Sequence, residues 1–107
     1  MNSLEDWAEK LKACNKLVIV EGKKDRKALK ELGISKIMTI SSSPLLDIEK
    51  ISEKEVIILT DLDQHGKKLY SKLRHTLQRR GIKINKQFRE FLLRSTRVSH
   101  IEGIKVP

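Results

Sequence analysis

Two short apolar segments rich in β-branched residues, Leu17-Val18-Ile19-Val20 and Val56-Ile57-Ile58-Leu59-Thr60, constrain this chain more than any other feature. Neither alternates apolar with polar residues, so each is expected to be a strand buried on both faces. Such strands need helices above and below them, and the flanking sequence supplies candidates. Lys24 to Leu32 places Ala28, Leu29 and Leu32 on one helical face and ends at Gly33, a residue suited to a left-handed helix stop. Leu69, Leu73 and Leu77 mark a second helix, from about Gly66 to Arg80, with Gly81 as its stop.

The remaining elements extend the alternation. Ser3 is placed to cap a helix carrying Leu4, Trp7, Ala8 and Leu11 and ending near Cys14. Lys36 to Ile40 predicts a further strand, and Ser43-Pro44 opens a short helix with a capping hydroxyl and a proline in its first turn. Ile82 to Ile84 suits a fourth strand, Asn85 a cap for a helix with Phe88, Phe91 and Leu92, and Val98 to Ile101 either a last strand or an irregular segment. Strands alternating with helices give an α/β fold, with a mostly parallel sheet of about four strands covered on both faces. At 107 residues the chain is expected to be one domain. Its core spans about residues 15–85, preceded by the N-terminal helix and followed by a basic C-terminal extension. Cys14 has no partner for an internal disulfide and no neighbouring His or Cys for a zinc site, and suits a small core position. No apolar run approaches the roughly 20 residues of a membrane span, and Met1 to Asp6 lacks the pattern of a secretory signal, so no membrane association and a cytoplasmic address are expected.

In parallel sheets, ligands bind at the carboxyl ends of the strands. Here both clear strands run into acids: Glu21 follows the first, Asp61 and Asp63 the later one. Alone, each has an ordinary structural use, as a helix cap or a solvated turn residue. Together they would crowd three like charges onto one rim, which is unfavourable without a compensating cation. If the two strands are neighbours, about 5 Å apart, the three carboxylates are within reach of a shared ion. Mg²⁺ fits, because it takes hard oxygen ligands and keeps waters that a phosphate can replace; Mn²⁺ is the expected substitute.

The net charge of +9 is unevenly placed. Residues 1–63 hold 11 Lys/Arg against 12 Asp/Glu, a net of −1, whereas residues 64–107 hold 12 Lys/Arg against Glu90 and Glu102, a net of +10. A basic half beside an acidic metal site suits a polyanion, and nucleic acid is the natural candidate. Lys23, Lys24, Lys67 and Lys68 flank the acidic turns and are candidates to meet phosphates, as are Gly22 and Gly66 through close backbone approach. Arg74, Arg79, Arg80, Arg89, Arg94 and Arg97 are candidates for tracking a backbone. Stacking platforms are scarce: Tyr70 is free to stack a base, while Trp7, Phe88 and Phe91 suit the core. His65, beside the acidic pair, is a candidate proton shuttle, and His75 and His100 offer less. Asp25 falls in a first helical turn, where the dipole favours negative charge.

The strings LVIVEGKKD (17–25) and VIILTDLDQHG (56–66) resemble the Toprim domain shared by topoisomerases, bacterial-type primases, old-family nucleases, RecR proteins and the ribonuclease that matures 5S ribosomal RNA. The likeness lies in a hydrophobic strand ending in Glu-Gly, followed about 40 residues later by a strand ending in Asp-x-Asp-x-x-Gly. The segments GIKINKQFREFLL and HIEGI are similar to those of small stand-alone Toprim proteins. The resemblance implies a compact, Rossmann-like fold. It also implies that Glu21 is a general acid/base or metal-contacting group, with Asp61 and Asp63 binding Mg²⁺, making these three the expected catalytic and metal residues.

Within that family, a self-contained topoisomerase is disfavoured because the sole tyrosine, Tyr70, falls just after the acidic turn, and the chain is short for a complete primase. The expected function is Mg²⁺-dependent, nuclease-like phosphodiester hydrolysis or transfer on RNA or DNA. The alternative is a non-catalytic nucleic-acid-binding or scaffold module acting with a protein partner, so whether the chain is an enzyme stays open. A haloacid-dehalogenase-type phosphatase or a receiver domain would carry its acidic pair after the first strand, and no Walker loop is present.

Overall fold

Parallel pairing of the two apolar segments organises the molecule, whose structure, a computed structural model, is described for residues 1–106. β1 (Leu17–Val20) lies between β2 (Ile37–Thr39) and β3 (Glu55–Ile58), and β4 (Lys83–Ile84) completes the sheet in the order β2-β1-β3-β4. All pairings are parallel, with Val18 opposite Ile37 on one side and opposite Ile57 on the other. The chain therefore turns one way from β1 and the other way beyond β3, which makes the gap between their carboxyl ends the switch point of the sheet.

Alternate strand residues feed two separate cores, as the period of two requires. Val18, Val20, Ile57 and Leu59 face helices α1 (Leu4–Cys14), α2 (Lys23–Glu31) and α5 (Gln87–Ser95), which contribute Trp7, Leu11, Leu29, Phe88 and Leu92. Ile19, Val56 and Ile58 face α4 (Gln64–Arg79) and the segment around Ile48, where a short helix α3 (Pro44–Asp47) runs into a 3-10 turn. Trp7 is fully buried, and its indole Nε1–H donates to the Phe88 carbonyl at 2.9 Å, so α1 is bonded as well as packed to α5. Among the described residues no helix is long and apolar enough to cross a membrane.

The expected α/β fold, covered on both faces, is the one observed; the differences are local. Ser3 caps α1 through a hydrogen bond from the Asp6 N–H, and Gly33 and Gly81 adopt φ of 90° and 82° at the ends of α2 and α4. α4 starts two residues earlier than Gly66 because Asp63 accepts from the Gly66 N–H as its cap. The Ser43 hydroxyl does not cap α3; Asp47 instead accepts from the Ser41 N–H and hydroxyl, folding the loop back on the helix. Asn85 lies one residue before the α5 cap position, Lys86, yet its side chain accepts from the Gln87 N–H. Residues 98–101 do not join the sheet, and Ile101–Gly103 form a 3-10 turn. Cys14 is half-buried, packing beside the core rather than within it.

Arg80, a candidate for tracking a nucleic-acid backbone, also has a use within the fold. Its guanidinium donates to the Ile48 carbonyl at 2.6 Å and the Ile51 carbonyl at 2.7 Å, tying the end of α4 to the 3-10 turn before β3. Arg80→Ala is expected to cost about 1–2 kcal/mol, since hydrogen bonds made by a charged group contribute more than neutral ones. Urea denaturation measures it, with Arg79→Ala, which makes no such bonds, as the comparison.

Candidate metal centre

The site begins with the turn that follows β3. Thr60, fully buried, donates its hydroxyl to the Gly66 carbonyl at 2.7 Å, and Asp63 Oδ1 accepts from the Gly66 N–H at 2.8 Å. These two bonds close residues 60–66 into a tight loop. A Cβ on Gly66 would stand 1.9 Å from the Asp61 carbonyl oxygen, so glycine is required there by close packing within the turn. Gly22 differs: it adopts extended backbone at the start of α2, and a Cβ there would meet nothing within 4 Å.

The register of β1 against β3 brings Glu21 to this turn. Glu21 Oε2 accepts from the Asp61 N–H at 2.7 Å, and its other oxygen lies 3.7 Å from His65 Nε2, an approach that becomes an ion pair when the imidazole is protonated. All three predicted acids thus share one rim. Asp61 and Asp63 approach each other through their carboxylates, whereas Glu21 reaches the turn through the Asp61 backbone. The carboxylates of Asp61 and Asp63 and a ring nitrogen of His100 all lie within 4.8 Å of one another. Donors on opposite sides of one Mg²⁺ are about 4.2 Å apart. Two half-buried carboxylates at such spacing, each with one oxygen outside the turn's own hydrogen bonds, form a donor set suited to a divalent cation. His100 did not stand out in the sequence, because its approach depends on where the irregular C-terminal segment lies.

Arg89 was expected on the surface and is instead 3% exposed beneath the turn. It donates to the Thr60 carbonyl at 2.5 Å and the Asp61 carbonyl at 3.0 Å, and its guanidinium carbon lies 4.4 Å from the centre of the Tyr70 ring. Tyr70 is therefore covered on one face by a cation. Burial pulls the Arg89 pKa down from its usual value, opposed by Tyr70, Glu21 and Asp61; an arginine remains charged through such a shift. The periodicity of α5 marks its apolar face but does not reveal a buried cation.

Asp25 lies on the acidic side of this balance. Its carboxylate accepts from the Gly22 N–H at 3.1 Å, closing the start of α2. Even so, burial first, then the charges of Asp61, Glu21 and Glu102, raise its pKa above the ordinary value, and the bond from Gly22 does not compensate. The helix-start position therefore does not outweigh the surroundings. Lys23 and Lys24 at the start of α2, and Lys67 and Lys68 in the first turn of α4, are exposed on the same rim. A cleft of about 360 Å³ runs from Glu21 past Ser41, Ser42 and His65 to Lys72.

Two tests follow. Gly66→Ala is expected to destabilise the fold by upwards of about 2 kcal/mol, because rigid backbone must move, whereas Gly22→Ala should cost less than about 1 kcal/mol; chemical denaturation compares them. Because the folded pKa of Asp25 is raised, its ionisation opposes folding: the penalty is absent below the unfolded value of 3.8 and grows as pH rises through the folded value. Asp25→Asn, which keeps an acceptor for Gly22, should raise the melting temperature of metal-free protein at neutral pH, by an amount that shrinks on acidification.

Comparison with known proteins agrees with this geometry. The Toprim domain model matches residues 16–94. A UPF0292 protein of Pyrococcus abyssi is 38% identical over 87 residues, covering 78% of this chain and 66% of that protein. One of Methanocaldococcus jannaschii is 32% identical over 102 residues, covering 89% and 80%. A solved structure of a protein from Aquifex aeolicus superposes with a TM-score of 0.87 at 31% identity, covering 97% of this chain and all of that one. The chain belongs to the Toprim domain family, among relatives that carry the UPF0292 name.

Proposed function

We propose that this protein catalyses metal-dependent hydrolysis or transfer of nucleic-acid phosphodiesters. The observation that carries the reading is the convergence at the switch point: Glu21 is hydrogen-bonded to the very turn that presents Asp61 and Asp63. Asp61 and Asp63 would hold the ion, Mg²⁺ or Mn²⁺, which when bound would polarise a phosphate and neutralise its charge. Glu21, half-buried with one oxygen directed toward His65, would act as general acid/base on the attacking or leaving oxygen. Lys67 and Lys68, and Lys23 and Lys24 across the rim, would position the phosphate backbone. The starts of α2 and α4 would add their partial positive charge on the same side. Gly22 is the more open of the two glycines to a phosphate, since a Cβ there would meet nothing within 4 Å, although each glycine N–H already donates to a carboxylate, Gly22 to Asp25 and Gly66 to Asp63.

A non-catalytic module acting with a protein partner on nucleic acid is the second reading. It is favoured by one feature: Glu21 Oε2 already accepts from the Asp61 N–H, so half of the proposed acid/base group has a structural use.

A panel of labelled RNA and DNA, single- and double-stranded, with Mg²⁺ or Mn²⁺ separates the readings. Cleavage or transfer is expected, falling roughly 10²–10⁴-fold in Glu21→Gln, which preserves the acceptor for Asp61 while removing the ionisable group. Asp61→Asn should reduce both turnover and metal affinity. Salt-sensitive binding with no turnover across the panel would support the scaffold reading and overturn the enzymatic one.

A further inference from the structure

The carboxyl end of the chain is bonded to the acidic turn on both sides of one residue. The Leu62 N–H donates to the Ser99 carbonyl at 2.8 Å, and the Ile101 N–H donates to Asp61 Oδ1 at 2.9 Å. Ile101 is fully buried in the core beneath, and the Gly103 N–H returns to the His100 carbonyl at 2.9 Å, closing the 3-10 turn that follows. His100, in extended backbone between those two bonds, is thereby held over the acidic pair although it is itself exposed. Its ring makes no hydrogen bond among the described residues, and a ring nitrogen lies within 4.8 Å of both carboxylates. The buried Ile101 explains why the segment docks; it does not require the neighbouring imidazole to sit against Asp61 and Asp63.

The hydrogen bonds also distribute the carboxylate oxygens. Asp61 Oδ1 accepts from Ile101 and Asp63 Oδ1 from Gly66, so each acid retains its other oxygen for an ion. We infer that His100 supplies a nitrogen ligand to the ion held by Asp61 and Asp63, so that the C-terminal segment completes the metal centre and biases it toward first-row transition ions over Mg²⁺. The inference rests on the ion-binding part of the function proposed above. Its chemical basis is ligand type: Mg²⁺ favours an all-oxygen shell, whereas first-row transition ions take an imidazole nitrogen with a strength that rises from Mn²⁺ to the later ions. It leaves Glu21 outside the ligand set and available for proton transfer.

Mn²⁺ is the probe, because its paramagnetism reports binding and ligand type independently of turnover. The full-length protein is titrated with Mn²⁺ and followed by electron paramagnetic resonance, with pulsed measurements of coupling to ¹⁴N. The expected result is a directly coordinated nitrogen in the wild type that is lost in His100→Ala and retained in His65→Ala. Mn²⁺ affinity should fall at least about ten-fold in His100→Ala, with Mg²⁺ affinity, read by competition, changing much less. Circular dichroism and thermal melting verify that the variants fold. Mn²⁺ bound in an Asp61-dependent manner without nitrogen coupling, or with coupling that survives His100→Ala, would overturn the role of His100 and leave the carboxylate centre standing. If the wild type binds no Mn²⁺, the ion-centred reading itself fails and this inference fails with it.

Discussion

The hydrogen bond from the Asp61 N–H to Glu21 joins the carboxyl ends of two neighbouring strands, and the site depends on it. Sheet pairing sets β1 and β3 in register but ends before the acids, with Ile19 opposite Ile58. Beyond that point, the Glu21 side chain continues the connection that backbone bonding has stopped making. The arrangement concentrates negative charge. Arg89 is the counterweight: one buried guanidinium under the turn, donating to two successive carbonyls while its charge faces Glu21 and Asp61. Negative charge still outweighs it nearby: the pKa of Asp25 is raised first by burial and then by the charges of Asp61 and Glu21. A surplus of carboxylate at a rim where two helices begin is an electrostatic situation that a divalent cation would relieve.

The larger architecture was legible because it follows from local patterns. Apolar runs without alternation specify strands covered on both sides, and Gly33 and Gly81 mark helix ends through the backbone conformation they adopt. Parallel topology placed Glu21 and the Asp61 turn on one rim, and their meeting needed in addition that β1 and β3 be neighbours, which they are. Roles that depend on long-range placement were not accessible in the same way. Arg80 and Arg89 are indistinguishable by sequence from the other arginines of the basic half, yet both are held by carbonyls about 30 residues away. His100 lies in a segment with no periodicity, and its position is set by Ile101 entering a core that many elements build together.

The basic half of the chain consequently has two functions. Part of its charge is used within the fold: Arg80, at the surface, binds the end of α4 to the turn before β3, and the buried Arg89 supports the acidic loop. Lys67, Lys68 and Lys72 instead remain on the surface, on the first turns of α4, close to the carboxylates. The positive charge available to a polyanion is therefore smaller than the composition suggests by at least the buried Arg89.

The indole bond from Trp7 to the Phe88 carbonyl gives the N-terminal helix a stake in distant chemistry. Phe88 immediately precedes Arg89, so α1 steadies the stretch of α5 from which the guanidinium reaches the Asp61 turn. A fragment trimmed to residues 16–94, the segment the Toprim family holds in common, would keep every acid of the strand ends. It would nevertheless strip the cover from Phe88 and Leu92 and remove the Ile101 amide from Asp61. The stretch matched by the family model is thus narrower than the set of residues that brace the rim in this protein.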